Sequence, residues 1–222
     1  MSCKQIARRL LAFICVAACT LWGATASAIT IDLSTGVAAY KYLSPGSGGS
    51  IYDAALMNPS AFPVSSPYIT NLGGAKWISQ KDNPNGDGEI GDYIFFTYFD
   101  LTGLDPSTAS ITGKVRSDNG LVDVNLNGTT SAGVSSGSTF NINQGSLPTI
   151  NITSGFLPGQ NVLVFKINNE ACPNCGIGGN PVGLLSNVQL TATAVPVPPA
   201  AWLFGSAVLG LSGFGRRKSS AA

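Results

Sequence analysis

The chain has 222 residues and a mass of 22.7 kDa, room for one domain or two small ones. Its formal charge is +1, but Lys4, Arg8, Arg9, Arg216, Arg217 and Lys218 sit at the two ends, so residues 29–194 hold six basic residues against all eleven acids and stand at −5. With 10% charged residues and no cluster of Lys and Arg in its body the chain is not built to bind nucleic acid, and the absence of His removes imidazole bases, Ser–His and Cys–His nucleophiles and most zinc or iron sites.

Lys4, Arg8 and Arg9 form a positive N-terminal region, followed by an almost unbroken apolar run over 10–24. Ala26-Ser27-Ala28 then places small side chains where a signal peptidase pocket needs them. This predicts an export signal cut after Ala28, with Ile29 as the mature start. A first transmembrane helix competes less well, because the run is short for a span and ends in small polar residues. Val16-Ala17-Ala18-Cys19 offers a rival lipoprotein cut with Cys19 acylated, although the apolar run continues past it through Leu21 and Trp22.

Residues 29–194 suffice for one domain with its own hydrophobic core. Short apolar runs alternate there with turn residues, the chain holding 27 Gly and 13 Pro. Their period is two. Leu121, Asp123 and Asn125 alternate with Val122, Val124 and Leu126 between Asp118-Asn119-Gly120 and Asn127-Gly128, a half-buried strand between turns. The same pattern predicts strands at 30–33, 37–43, 75–79, 92–101, 109–116, 138–142, 149–152, 161–168 and 184–193. No helical stripe of ten or more residues occurs away from the termini. Many short strands with regular turns predict an all-β, antiparallel sandwich or barrel.

The order of these segments carries a resemblance. Trp77-Ile78-Ser79 is followed by residues 92–128, with Phe99-Asp100-Leu101, Asp118-Asn119-Gly120 and Asn125-Leu126-Asn127-Gly128, and then by residues 152–169, with an apolar strand after Pro158-Gly159. This sequence of elements resembles the galactose-binding-like jelly roll over roughly residues 75–193, which implies a jelly-roll β-sandwich for the body.

Contact with sugar needs aromatic platforms beside amides and carboxylates that bond to hydroxyls, and Trp77, Tyr93, Asp118, Asn119, Asn125 and Asn127 are the candidates. The plainer account packs Trp77 between the sheets and uses the Asp/Asn–Gly groups as turns. Residues 81–93 imitate a calcium loop, with Asn83, Asn85 and Asp87 at alternate positions, Gly88 at the sharp turn and Ile90 as its anchor. The closing bidentate carboxylate is missing, because Ile94 stands there. A solvated glycine-rich loop is the better account, and a structural calcium ion would need Asp82, Glu89 or Asp92 in another geometry. No other cofactor is expected.

Cys3, Cys15 and Cys19 leave with the leader, so Cys172 and Cys175 remain. A CxxC pair without a βαβ setting or further ligands argues against redox catalysis and zinc. In an exported compartment it favours a Cys172–Cys175 disulfide closing a tight loop. Neither a nucleophile elbow nor an HExxH occurs, and paired carboxylates such as Asp118 with Asp123 are the one route to a glycosidase.

Val195-Pro196-Val197-Pro198-Pro199 ends the body, since its prolines cannot continue a helix. An apolar stretch over 200–214 and the basic cluster Arg216-Arg217-Lys218 follow. As a helix that stretch measures about 22 Å against a hydrocarbon core of ~30 Å, so it would thin the bilayer or let its Arg and Lys snorkel, basic end inward. Proline motif, short span and basic cluster together resemble the PEP-CTERM sorting tail of Gram-negative bacteria, in the variant where a Val-Pro-x-Pro run replaces Pro-Glu-Pro and Val197 stands in place of Glu. The resemblance implies an exosortase-type membrane protease, transient anchoring in the inner membrane, removal of the tail and delivery to the cell surface or extracellular matrix. The logic parallels a GPI signal, and a permanent single-span anchor is the alternative.

The chain is therefore expected to be an antiparallel jelly-roll β-sandwich flanked by an N-terminal signal helix and a short C-terminal transmembrane helix. Its expected role is that of a non-enzymatic exported protein associated with exopolysaccharide. The alternatives are a lectin-like module with one defined sugar site and, further off, a carbohydrate-active enzyme.

Overall fold

Alternating apolar and polar residues let a strand bury every second side chain. The computed structural model describes residues 26–57, 72–80, 88–130, 137–138, 147–171, 180–196, 204 and 206–208. Within them the chain forms β1 (Ala28–Asp32), β2 (Tyr40–Leu43), β3 (Tyr52–Leu56), β4 (Ile78–Gln80), β5 (Gly91–Asp100), β6 (Leu104–Asp118), β7 (Gly120–Leu126), β8 (Thr129–Thr130), β9 (Gly137–Ser138), β10 (Thr149–Ile152), β11 (Gln160–Asn169) and β12 (Gly183–Ala194). The alternation is cleanest in β11, where Asn161, Leu163, Phe165, Ile167 and Asn169 are buried and the residues between them are not.

The hydrogen-bonded order is β10-β6-β12-β4-β3-β2-β5-β11-β7-β8, with β1 on β12 and β9 on β7. All these pairings are antiparallel. The path folds over at β3, which pairs with β4 through Ala54–Leu56 and with β2 through Tyr52 and Asp53. The back layer then reads β4-β12-β6-β10 and the front layer β5-β11-β7-β8, with consecutive strands lying in different layers at β1–β2, β4–β5, β5–β6, β6–β7, β9–β10, β10–β11 and β11–β12. That order is a jelly roll.

One core fills the space between the layers. Tyr93, Phe95 and Phe99 of β5, Leu121 and Val124 of β7 and Leu163, Phe165 and Ile167 of β11 meet Ile111 and Val115 of β6, Ile150 of β10 and Leu184, Val188 and Leu190 of β12. Burying each large apolar side chain contributes about 1.5–3 kcal/mol. The ion pairs Lys41–Asp53 and Lys166–Asp92, each at 2.7 Å, are solvent-exposed and add at most about 1 kcal/mol apiece. The core, not the surface charge, holds the fold.

Several boundaries differ from the sequence reading. The strand expected at 37–43 begins at Tyr40, because Gly36 at φ 81° makes a tight turn closed by the Thr35–Ala38 bridge. The strand expected at 109–116 extends over Leu104–Asp118, drawn out by its register with β12. Of the expected 138–142 segment, Ser138 lies in β9 and the rest lies outside the described residues. The flanking helices expected at 10–24 and 200–214 lie outside the described residues except for Phe204 and residues 206–208, which are helical. Among the described residues no helix is long and apolar enough to cross a membrane.

Ala28 is the Cα partner of Thr193, so β1 begins where β12 is about to end, and Ala28–Ala194 forms one compact unit. Among the described residues of this unit, four carboxylates titrate below the ordinary value of 3.8: Asp32 through a hydrogen bond from Ser34, Asp92 through Lys166 and then Asn168, Asp100 through Thr102, and Asp105 through Ser107. A carboxylate depressed in the folded state stabilises it fully above the unfolded value. That contribution is lost as pH falls through the folded value. With no His to titrate, the melting temperature is expected to stay nearly level from pH 7 to 5 and to drop below about pH 4. Asp92→Asn should remove part of that slope in thermal melts.

Candidate functional site

Trp77 does not lie between the sheets. It is 7% exposed and packs with Met57, Ala75, Leu185 and the partly buried Leu72 in a cluster separate from the main core. Leu185 alternates with the core-facing Leu184, so this cluster covers the outer face of the back layer. A Cβ on Gly183 would come within 2.6 Å of Met57 Sδ and 3.1 Å of Trp77 Cε3, so the missing side chain leaves room for both. Trp77 is packing material, and its ring offers no platform to a sugar.

Tyr93, Asp118 and Asn119 gather at one end of the sandwich. Tyr93 is fully buried; its hydroxyl accepts the Glu89 N–H at 2.9 Å and a bond from Gln80 Nε2 at 3.4 Å, and burial pushes its phenol up. Asn169 Nδ2 donates to the carbonyls of Gly88 (3.3 Å) and Glu89 (2.9 Å), and the Gly88 N–H donates to Asn180 O at 2.7 Å. Only glycine fits at position 88, where a Cβ would lie 2.6 Å from Val182 Cγ1 and 2.7 Å from Tyr93 Oη. Asp118 is buried at the end of β6, and Asn119 Oδ1 accepts the Glu170 N–H at 2.9 Å. These bonds fasten loop ends to the sandwich.

Asn127 also works as a fastener. It sits at φ 53° in the turn after β7, donates from Nδ2 to Gly155 O (2.9 Å) and Asn161 Oδ1 (2.7 Å), and accepts the Val162 N–H at 2.9 Å. Asp118 and Asp123 do not form a pair. Asp118 lies in the back layer against Gly183, whereas Asp123 lies in the front layer across from Lys166. Asn83, Asn85, Asp87, Cys172, Cys175, Val197, Pro198, Pro199, Arg216, Arg217 and Lys218 lie outside the described residues, while Val195 and Pro196 are exposed. Among the described residues no group of three or more His, Cys, Asp or Glu is placed to hold a metal ion.

Of the six sugar candidates, Asn119, Asn125 and Asn127 are half-buried, and of these Asn125 alone lies within a strand, on the outer face of the front sheet. The core takes Tyr93, Phe95 and Phe99 from β5, which leaves Asp92, Ile94, Phe96, Tyr98 and Asp100 on the outer side. Phe96 is buried at 5% exposure and meets Tyr98 edge-on with ring centroids 5.6 Å apart, while Tyr98 itself is 49% exposed. Register places Lys41 and Val164 beside Phe96, Asn125 beside Val164, Val162 beside Tyr98 and Asp123 beside Lys166. Lys41 is paired with Asp53 and Lys166 with Asp92, whose carboxylate also accepts Asn168 Nδ2 at 2.8 Å. Asn125 Nδ2 donates to Asp123 Oδ2 at 3.1 Å. The result is one half-exposed aromatic ring on an apolar floor, framed by short polar side chains. A signal for it exists in the sequence: residues 92–100 carry aromatics on both phases of the alternation, and one phase of a half-buried strand must face water.

No family model matches the chain, and no curated protein does. Solved structures similar to it include an FMN-binding β-glucuronidase from Facaelibacterium prausnitzii L2-6, at 18% identity over 78% of this chain and 23% of that one, with a TM-score of 0.42. A β-glucuronidase from an uncultured Clostridium sp. is 11% identical over 76% of this chain and 29% of its own, at a TM-score of 0.40. A Ruminococcus gnavus β-glucuronidase in complex with D-glucaro 1,5-lactone is 16% identical over 74% and 29%, also at 0.40. The chain thus spans about a quarter of the length of these enzymes (23–29%). The jelly-roll assignment rests on the strand order itself.

Proposed function

We propose that this chain is a non-enzymatic exported protein of the cell surface or extracellular matrix, sorted by an exosortase-type membrane protease and associated with exopolysaccharide. The observation that carries this reading is where the body begins and ends. β1 starts at Ala28 and β12 stops at Ala194, one residue before the proline motif at Val195-Pro196-Val197-Pro198-Pro199. A cut after Ala28 removes only the Ala28↔Thr193 pair from the described strand pairings, and loss of the segment from Val195 onward removes none. A sandwich whose described strand pairings draw on neither end beyond Ala28 suits a cargo whose leader and tail are disposable. Its partners in this reading are the protease, the inner membrane during transit and extracellular polysaccharide; no nucleic acid is among them. The layer separation of Asp118 and Asp123 supports a non-enzymatic role, because a glycosidase needs two carboxylates flanking one bond.

Intact mass and terminal sequencing of the protein recovered from the producing cell test this. The expected product starts at Ile29 and lacks Arg216, Arg217 and Lys218. Replacing Pro196, Pro198 and Pro199 together by Ala is expected to leave an uncleaved, membrane-retained chain. Cytosolic recovery with both ends intact would refute the proposal.

A further inference from the structure

We propose that the outer face of the front sheet binds neutral polysaccharide, with Tyr98 as the platform on which a sugar ring stacks and Asp123 and Asn125 as acceptors for its hydroxyls. This names the ligand class and the site within the matrix-associated role proposed above. It rests on that role for its biological setting but not for its chemistry.

Three properties of the face select the ligand. The first is size. Tyr98 is the most exposed apolar side chain of the β5–β11 part of this face, while Phe96 beside it is buried and Val162, Val164 and Ile94 on the same face are half-buried. A stable protein interface needs about 800 Å² per partner with an apolar centre, and a single aromatic ring falls far short of that. It does match the apolar face of one sugar ring, provided hydroxyl partners stand nearby.

The second property is charge. Both lysines of the face are engaged, Lys41 with Asp53 and Lys166 with Asp92, each at 2.7 Å. Asp123 of β7 adds a carboxylate, and Asp100 another at the end of β5, the strand that carries Tyr98. A polyuronate or sulfated chain would meet a surplus of negative charge, with each available cation already paired. An uncharged chain avoids that repulsion.

The third is the pattern of acceptors. Asn125 gives one N–H to Asp123 Oδ2, which holds the pair in place and leaves Asn125 Oδ1 and Asp123 Oδ1 with no hydrogen-bond partner among the described residues. They stand two strands from Tyr98, about 10 Å across the sheet, and are displaced along it by about 7 Å for Asn125, level with Phe96, and about 13 Å for Asp123, level with Ile94, so a chain of linked sugars could reach both ring and acceptors while a monosaccharide could not.

Affinity gel electrophoresis of the protein as recovered from the producing cell tests this, with galactomannan and xyloglucan as neutral probes and alginate as the acidic one. Retardation by at least one neutral polysaccharide and none by alginate is expected. Tyr98→Ala should weaken the neutral interaction about tenfold or more, as truncation of a central aromatic contact does, and Tyr98→Phe should keep most of it. Asp123→Asn should weaken it less. Because Tyr98 is half-exposed, an unchanged melting temperature should accompany its loss of binding. The inference is overturned if neither neutral probe retards the protein, if Tyr98→Ala binds like the parent, or if the parent is a dimer that Tyr98→Ala dissociates. In each of these cases normal trimming and release of the same sample would leave the sorting proposal standing. Cytosolic retention with intact neutral binding would refute only the sorting.

Discussion

Trp77→Ala is expected to lower the free energy of unfolding by about 3–5 kcal/mol, the usual cost of truncating a buried aromatic. For a body of this size that is a fall of about 10 °C in melting temperature. The loss follows from position. Trp77 is 7% exposed and fills the space between Met57, Ala75 and Leu185 on the outer side of the back layer, where Gly183 leaves a gap for it. Removing the indole opens a cavity bounded by strand backbone that cannot close over it. Polysaccharide retardation, measured well below the lowered melting temperature, should be unchanged, because Tyr98 lies on the other layer. The reverse result, unchanged stability with binding lost, would make Trp77 a ligand contact and show that its packed position is not the one in solution.

Asn161→Ala should cost about 3 kcal/mol, from several hydrogen bonds lost at one buried residue. Asn161 Oδ1 accepts the Leu157 N–H at 2.8 Å and Asn127 Nδ2 at 2.7 Å, and its Nδ2 donates to Leu157 O and Gly159 O, both at 2.8 Å. The single side chain thus closes the loop before β11 and ties it to the turn after β7. Leu157 and Gly159 are exposed enough for water to replace part of what is lost, which keeps the effect below that of Trp77→Ala. Asn127→Ala should cost less than Asn161→Ala, and denaturant melts of both single variants and the double should be non-additive, because the two residues share a bond. Strict additivity would mean that the Asn127–Asn161 contact contributes nothing.

Much of the fold is legible in the sequence because the signals behind it are local. Asp118-Asn119-Gly120 and Asn127-Gly128 do bracket a strand, Gly120–Leu126, and the alternation at 161–168 becomes β11 with one residue added at each end. β3 is missed for an equally local reason. Tyr52-Asp53-Ala54-Ala55-Leu56 has weak strand propensity and no strong alternation, and it is extended because β2 and β4 offer it partners on both edges. The sugar candidates follow from residue type, and type does not distinguish the two sides of a strand. Tyr93 and Tyr98 lie five residues apart on β5, one fully buried and the other half-exposed. Asn127 and Asn125, equally suited to a hydroxyl, differ because only Asn127 meets the loop before β11.

The amino-acid order by itself determined an antiparallel β body with its turns in place, along with the exclusion of imidazole chemistry, because period, turn chemistry and composition are properties of short stretches. The tertiary structure alone decided that the path folds at β3, that Trp77 is packing and that Tyr98 faces outward. Each of these depends on which distant strand lies alongside, and a side chain's surroundings in a sheet come from neighbours that are far away in the chain.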